Sequence, residues 1–210
     1  RLDLSNLTEL IDENTVIVAL THQSNVTGAI TDLQPITERV RAVGSLILLD
    51  ACQSAPHMKV DIRALDIDFL AFSGHKALGP TGVGILWGAK PLLNQMPPML
   101  TGGSMIESAT INSARYAAPP KRFEAGVPNM AQAVGLGAAI DYLQNIGMDQ
   151  IFAHEHELTQ RAIAGLSEIS GLSIVGPTDM KLRGGAISFT VEGIHPHDLG
   201  QVLDDQGIAV

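Results

Sequence analysis

Two side chains in this chain have the types and placement to do chemistry together. Lys76 falls in Ser73-Gly74-His75-Lys76-Ala77-Leu78, directly after the apolar run Asp68-Phe69-Leu70-Ala71-Phe72. Asp50 closes a second apolar run, Leu46-Ile47-Leu48-Leu49, and is followed by Ala51-Cys52-Gln53. Open α/β sheets take their ligands outside the carboxyl ends of the strands, and both residues sit where such ends are expected. An amine there can hold an aldehyde, and a carboxylate can keep a pyridine nitrogen protonated; pyridoxal phosphate chemistry needs both. Ser73 and His75 place a hydroxyl and an imidazole beside the same amine, donors suited to a phosphate. Alone, Lys76 would equally be a solvated charge and Asp50 a helix-capping side chain. Only in combination do they point to one cofactor chemistry.

Other residues carry weaker signals. Asn25, in Thr21-His22-Gln23-Ser24-Asn25-Val26, follows the run Val16 to Leu20 and reaches the same sheet edge, although an Asn before Thr27-Gly28 is also an ordinary turn residue. His22 reads as a structural histidine. Cys52 is the single cysteine, which excludes an internal disulfide and a multi-cysteine zinc site. Its expected role is packing, because a buried free cysteine behaves as a small hydrophobe. His154, His156, His195 and His197 form two His-x-His pairs on separate elements with no carboxylate at ligand spacing, so no metal site is expected.

The elements that must position these groups alternate along the chain. A polar helix-like stretch ends near Asp12, a strand follows at Val16 to Leu20, then a helix from about Pro35 to Val43 and the Leu46 to Leu49 strand, which reads as buried on both faces. This pattern predicts an α/β fold with a mostly parallel sheet. The run Gly82 to Trp87 follows Lys76 after too few residues for a helical crossover, so it is expected to pair antiparallel. Residues 97–120 read as an irregular loop of the length that is often functional. Met130 to Ile146 reads as a buried helix with close approach at Gly135 and Gly137, and Asp149 to Ile169 as an amphipathic helix stopped by Gly171. Strands at Leu172 to Val175 and Ala186 to Val191 and a helix from Pro196 to Asp205 read as the start of a small α+β domain. The expected boundary near Gly147 gives two parts, residues 1–147 and 148–210. The chain opens on Arg1, and Gly207-Ile208-Ala209-Val210 reads as a strand cut short, so both ends are expected to be truncated.

Composition narrows the partners. With 210 residues the chain can bury a substantial core. Its net charge is −9 with 13 Lys and Arg, which leaves no basic stripe for a phosphate backbone and argues against nucleic acid. No apolar stretch approaches the roughly 20 residues that span a bilayer, and no leader pattern opens the chain. The expectation is a cytoplasmic protein with no membrane partner.

The Ser-Gly-His-Lys turn, the Asp-x-x-Gln strand end, Met96-Pro97-Pro98, Gly102-Gly103-Ser104-Met105-Ile106 and Arg122-Phe123-Glu124-Ala125-Gly126 together resemble class V aminotransferases, and within them the Suf-type cysteine desulfurases. The resemblance runs through nearly all of the chain. It implies a pyridoxal-phosphate-dependent transferase of fold type I, working on L-cysteine as a homodimer and passing sulfur through an enzyme persulfide to an acceptor protein of the Suf system for iron-sulfur cluster assembly. It assigns Ser73 and His75 to the cofactor phosphate, Lys76 to the covalent link with the aldehyde, Asp50 to the pyridine nitrogen, Gln53 to the phenolic oxygen and Asn25 to the ring and substrate. Lys76 and His75 are the implied catalytic proton carriers. The loop 122–129 resembles one lent to the neighbouring subunit's cofactor phosphate, but Val127 stands where the family usually has a threonine, which removes that hydroxyl contact. The resemblance also puts the nucleophilic cysteine, a ring-stacking histidine, a phosphate loop and a substrate-clamping arginine outside these 210 residues, so the chain alone is not expected to complete a cycle. Alternatives are a selenocysteine lyase or another class V lyase, and a non-catalytic scaffold that keeps the fold.

Overall fold

The computed structural model describes residues 2–210. Four strands form the central sheet in the order β1 (Ile17–Thr21), β2 (Leu46–Asp50), β3 (Phe69–Ser73) and β4 (Gly84–Gly88). The first three are parallel, with Thr21 level with Asp50 and Asp50 level with Ala71, so their carboxyl ends emerge along one edge. β4 runs antiparallel to β3, with Gly84 opposite Ser73, as the short connection requires.

One turn of helix, α1 (Leu7–Leu10), precedes β1, and α2 (Gln34–Ala42) crosses from β1 to β2 with Pro35 in its first turn, where a missing amide costs nothing. The core forms between α2 and the sheet: Ile36 and Val40 meet Ile47, Leu49 and Leu70, with Ile11, Leu33 and Ile67 closing the ends. Val40, Ile47 and Leu49 are fully buried, each stabilising the fold by about 1.5–3 kcal/mol. β2 differs from the expectation of burial on both faces. Ile47 and Leu49 point into this core while Leu46, Leu48 and Asp50 share a half-buried face, because strand side chains alternate and α2 covers one side. Asp68 fixes the start of β3: its Oδ2 accepts from the Ile47 amide at 2.8 Å and from Arg41 Nη1 at 2.7 Å.

Beyond β4, α3 (Lys90–Gln95) leads into a segment that is not the irregular loop anticipated. It carries a hairpin, β5 (Ile106–Ala109) with β6 (Ala114–Tyr116), with a register shift between Ile106 and Ser108. Its strands are short and almost wholly exposed, so no apolar alternation marks them in the sequence. A Glu107–Arg115 ion pair of 2.8 Å crosses it. Helix α4 (Met130–Ile146) has the expected ends, but only Leu136, Ala139 and Leu143 are buried, whereas Met130, Val134 and Tyr142 are exposed. A Cβ on Gly135 would lie 3.1 Å from Pro80, a real close approach, whereas Gly137 faces open space. The chain then turns at Gly147, which has φ of +94°, into α5 (Met148–Ser167).

β7 (Leu172–Val175) and β8 (Ser188–Val191) form a separate antiparallel pair, followed by α6 (Pro196–Asp205). Residues 207–210 are not a strand; Ile208 instead donates its amide to the Leu203 carbonyl at the end of α6. The loop before β8 is laced to the loop after β1: Gly184 donates to the Gly28 carbonyl, Ile30 to the Leu182 carbonyl and Ser188 Oγ to the Val26 carbonyl. Among the described residues no helix is long and apolar enough to cross a membrane.

Candidate active site

The parallel register brings the candidate residues to one edge. Asp50 is the last residue of β2, Ser73 the last of β3, and His75 and Lys76 lie on a 3-10 turn, Gly74–Ala77, that starts where β3 stops. The turn is held from below. Gly74 donates to the Val83 carbonyl and accepts from the Gly79 amide, which closes the loop on itself. A Cβ on Gly74 would come within 2.9 Å of Val83, and one on Gly79 within 2.9 Å of both the Gly74 carbonyl and Leu136 of α4. Both positions need glycine for space. Leu78 closes the turn with φ of +59°, a conformation costing a β-carbon-bearing residue about 1 kcal/mol. With Ala77 turned inward and buried, His75 and Lys76 are presented to solvent.

Asp50 is half-buried. Its Oδ1 accepts from the Cys52 amide at 2.9 Å, the local turn bond an aspartate makes two residues ahead; Oδ2 accepts no hydrogen bond among the described residues. Cys52 Sγ lies 3.6 Å from Ser73 Oγ. That contact joins the turn after β2 to the end of β3. The acid, the hydroxyl, the imidazole and the amine are therefore carried by adjacent strand ends.

Gln53 and Asn25 line different cavities. Gln53 lines a cavity of about 340 Å³ with Gln23, His57, Glu155 and Thr159. Asn25 is exposed in the turn after β1 and lines another cavity, of about 490 Å³, with Thr21, Ser24 and Thr31. An apolar cavity of about 390 Å³, walled by Phe72, Ala77, Trp87 and Leu143, lies beside the Lys76 turn. Its lining is mostly hydrophobic packing surface, with Lys59 and Gln144 its polar members.

His22 is buried, with Nδ1 3.0 Å from Ser54 Oγ, and burial pushes its pKa from 6.5 down to about 4, so it is a neutral imidazole. In the 122–129 segment Val127 is exposed, and the Gly126 amide already donates to the Gly103 carbonyl, so that amide is not free for another acceptor. The His-x-His pairs meet each other or an aromatic ring, His195 with His197 and His156 with Phe152. No group of three or more metal-ligating side chains converges among the described residues.

Three residues that sequence patterns did not single out belong to this region. Gln23 is 2% exposed, and its amide packs against Gly184, where a Cβ would meet it. His57 and Glu155 are joined at 2.8 Å across 98 positions. Only the four-residue spacing of Gln53 and His57 hints at a shared face, and it says nothing of α5.

An open, mostly parallel α/β sheet with an acid at the end of one strand and an amine just past the next is a ligand-binding α/β architecture. The chain belongs to the class V aminotransferase family, whose model matches residues 1–210. It is 56% identical over 210 residues to a probable cysteine desulfurase of Streptomyces coelicolor, a match covering all of this chain and 50% of that protein. The apo structure of a cysteine desulfurase from Thermococcus onnurineus NA1 superposes with a TM-score of 0.93 at 40% identity, covering 100% of this chain and 52% of the other. A lysine-to-alanine mutant of C-DES, with glycine covalently linked to its PLP cofactor, superposes at 0.83 and 26% identity over 96% of this chain and 54% of its own. The chain spans about half the length of the curated relatives it matches.

Proposed function

We propose that this protein is a pyridoxal-phosphate-dependent cysteine desulfurase of the Suf type, converting L-cysteine to L-alanine and delivering the sulfur, as a persulfide, to a Suf acceptor protein for iron-sulfur cluster assembly. The observation that carries the reading is the convergence of Asp50, Ser73, His75 and Lys76 on one sheet edge, in a chain 56% identical to a probable desulfurase. The donor set fits the cofactor. Asp50 keeps one carboxylate oxygen without a hydrogen-bond partner, Lys76 presents an exposed amine, and Ser73 and His75 supply donors for a phosphate.

When bound, pyridoxal phosphate supplies an electron sink for the charge left on the substrate's α-carbon. The residues of this chain do the rest. Asp50 would hold a proton on the pyridine nitrogen, Gln53 would donate to the phenolic oxygen, and Ser73 and His75 would hold the phosphate. Asn25 would contact the ring and substrate. Lys76 would hold the aldehyde and, with His75 beside it, would remove and return the α-proton and deliver a further proton, released by the substrate thiol, to the β-carbon. A cysteine thiolate outside these residues would take the substrate sulfur: the S–S bond forms as the C–S bond breaks, the carbon side keeps the electron pair, and its protonation gives alanine.

The same reading places the protein in the cytoplasm as a homodimer. It divides the chain at Gly147 into part of a large cofactor-binding domain and the start of a small one. The test is an assay of the full-length protein for L-alanine and sulfide from L-cysteine and for L-alanine from L-selenocysteine. Cysteine turnover that disappears when the downstream thiol is removed supports the reading; undiminished turnover without that thiol favours a lyase of the same family.

A further inference from the structure

Residues 51–58 form a helical turn, with Ala55 donating to the Ala51 carbonyl at 2.8 Å and Met58 to the Ser54 carbonyl at 2.9 Å. In that geometry Gln53 and His57, four residues apart, share a face, and both line the cavity bounded by Glu155 and Thr159 of α5. The start of the turn is tied to β3 through the Ala51 amide, which donates to the Ala71 carbonyl, and through Cys52 Sγ beside Ser73 Oγ; its remainder is held at two further points. Fully buried Ser54 reaches His22 beyond β1, and His57 Nδ1 lies 2.8 Å from Glu155 Oε1. Gln53 itself has no anchor, since its side chain makes no hydrogen bond among the described residues. Its pose is therefore set by where the turn is held. Among the described residues, the one polar tie from this turn to α5 is the His57–Glu155 contact.

We propose that His57 and Glu155 are a positioning pair for Gln53: by clamping the 51–58 turn onto α5 they hold the Gln53 amide at the cofactor's phenolic oxygen. The inference rests on the cofactor reading above. Both partners are about one-third exposed, and polar contacts at such sites contribute little to global stability. The effect of breaking the contact is therefore local to Gln53. A donor to the phenolic oxygen stabilises its negative charge, so a mispositioned Gln53 makes the adjacent protonated nitrogen harder to deprotonate.

The experiment uses the full-length protein loaded with pyridoxal phosphate and follows the pH midpoint of the bound cofactor's visible absorbance band. Gln53→Ala should raise that midpoint by about one pH unit, the scale of one hydrogen bond to a charged form. His57→Ala should raise it by at least about half as much, and the double variant no further than Gln53→Ala alone, the signature of two residues acting through one contact. His57→Gln, which can still reach Glu155, should restore most of the shift. Glu155→Ala breaks the contact from the other side and should match His57→Ala, so the inference does not depend on one variant folding. An unmoved midpoint in both His57→Ala and Glu155→Ala, or additive shifts in the double variant, would overturn the inference. A Gln53→Ala midpoint equal to wild type would overturn it too while leaving the cofactor reading intact. Absence of any band in the unmodified protein would remove both.

Discussion

Acidification should weaken this fold through one imidazole, and the size of the effect follows from where His22 sits. The side chain is 5% exposed, its Nδ1 is occupied by Ser54, and desolvation holds its pKa at about 4, below the ordinary value of 6.5. An unfolded chain protonates His22 as the pH drops through 6.5, whereas the folded chain does not until about 4. Between those values the unfolded state binds more protons, so stability rises with pH and falls on acidification. The contribution is intact above pH 6.5, declines by about 1.4 kcal/mol per pH unit below it, and is lost by about pH 4, a total of roughly 3 kcal/mol. The assay is denaturant unfolding of the full-length protein at pH 7.5, 6, 5 and 4.5, alongside His22→Gln, which has nothing to titrate. The difference in unfolding free energy between the two proteins should shrink toward low pH. A difference that stays constant from pH 7.5 to 4.5 would refute the burial argument.

Arg183 is fully buried and donates to the carbonyls of Pro177 and Ala186 at 2.7 and 2.5 Å, with desolvation lowering its pKa. Arg183→Met leaves those carbonyls unpaired and should cost about 1–3 kcal/mol in denaturant unfolding; an unchanged midpoint would show that the guanidinium does not hold the loop. At Gly79 an added methyl would strike the Gly74 carbonyl and Leu136 at 2.9 Å. Gly79→Ala should therefore shift the Lys76 turn, destabilise by about 1–3 kcal/mol and weaken cofactor retention, measured by absorbance after dialysis. Retention equal to wild type would mean that the turn tolerates the displacement.

Legibility in the sequence followed the range of the interactions involved. Apolar runs that end at Asp50 and near Ser73 declare strands because a strand core is made of consecutive residues, and the brevity of the link between Lys76 and Gly82 was enough to fix the antiparallel sense of β4. The hairpin at Ile106–Tyr116 left no such trace, since both of its faces are exposed and hydrogen bonding rather than burial defines it. Residues 207–210 look like a strand by composition, but a strand needs a partner, and Ile208 bonds back to α6 instead. Four candidate residues could be read from chemistry because they cluster within a few positions of two strand ends. His57, Glu155, Gln23 and Arg183 were silent. Their neighbours are supplied by the tertiary fold, for Arg183 by the backbone carbonyls of a folded loop, and no local pattern encodes those.

The central claim is that Lys76 anchors pyridoxal phosphate at this sheet edge. Borohydride reduction of the full-length protein, with the absorbance spectrum recorded before and after and the peptides then mapped by mass, tests it most directly. The account predicts a visible band that bleaches on reduction and a pyridoxyl mass on the peptide containing Lys76, lost in Lys76→Ala. A protein that shows no band after added pyridoxal phosphate, or that carries the pyridoxyl group on another lysine, would contradict it.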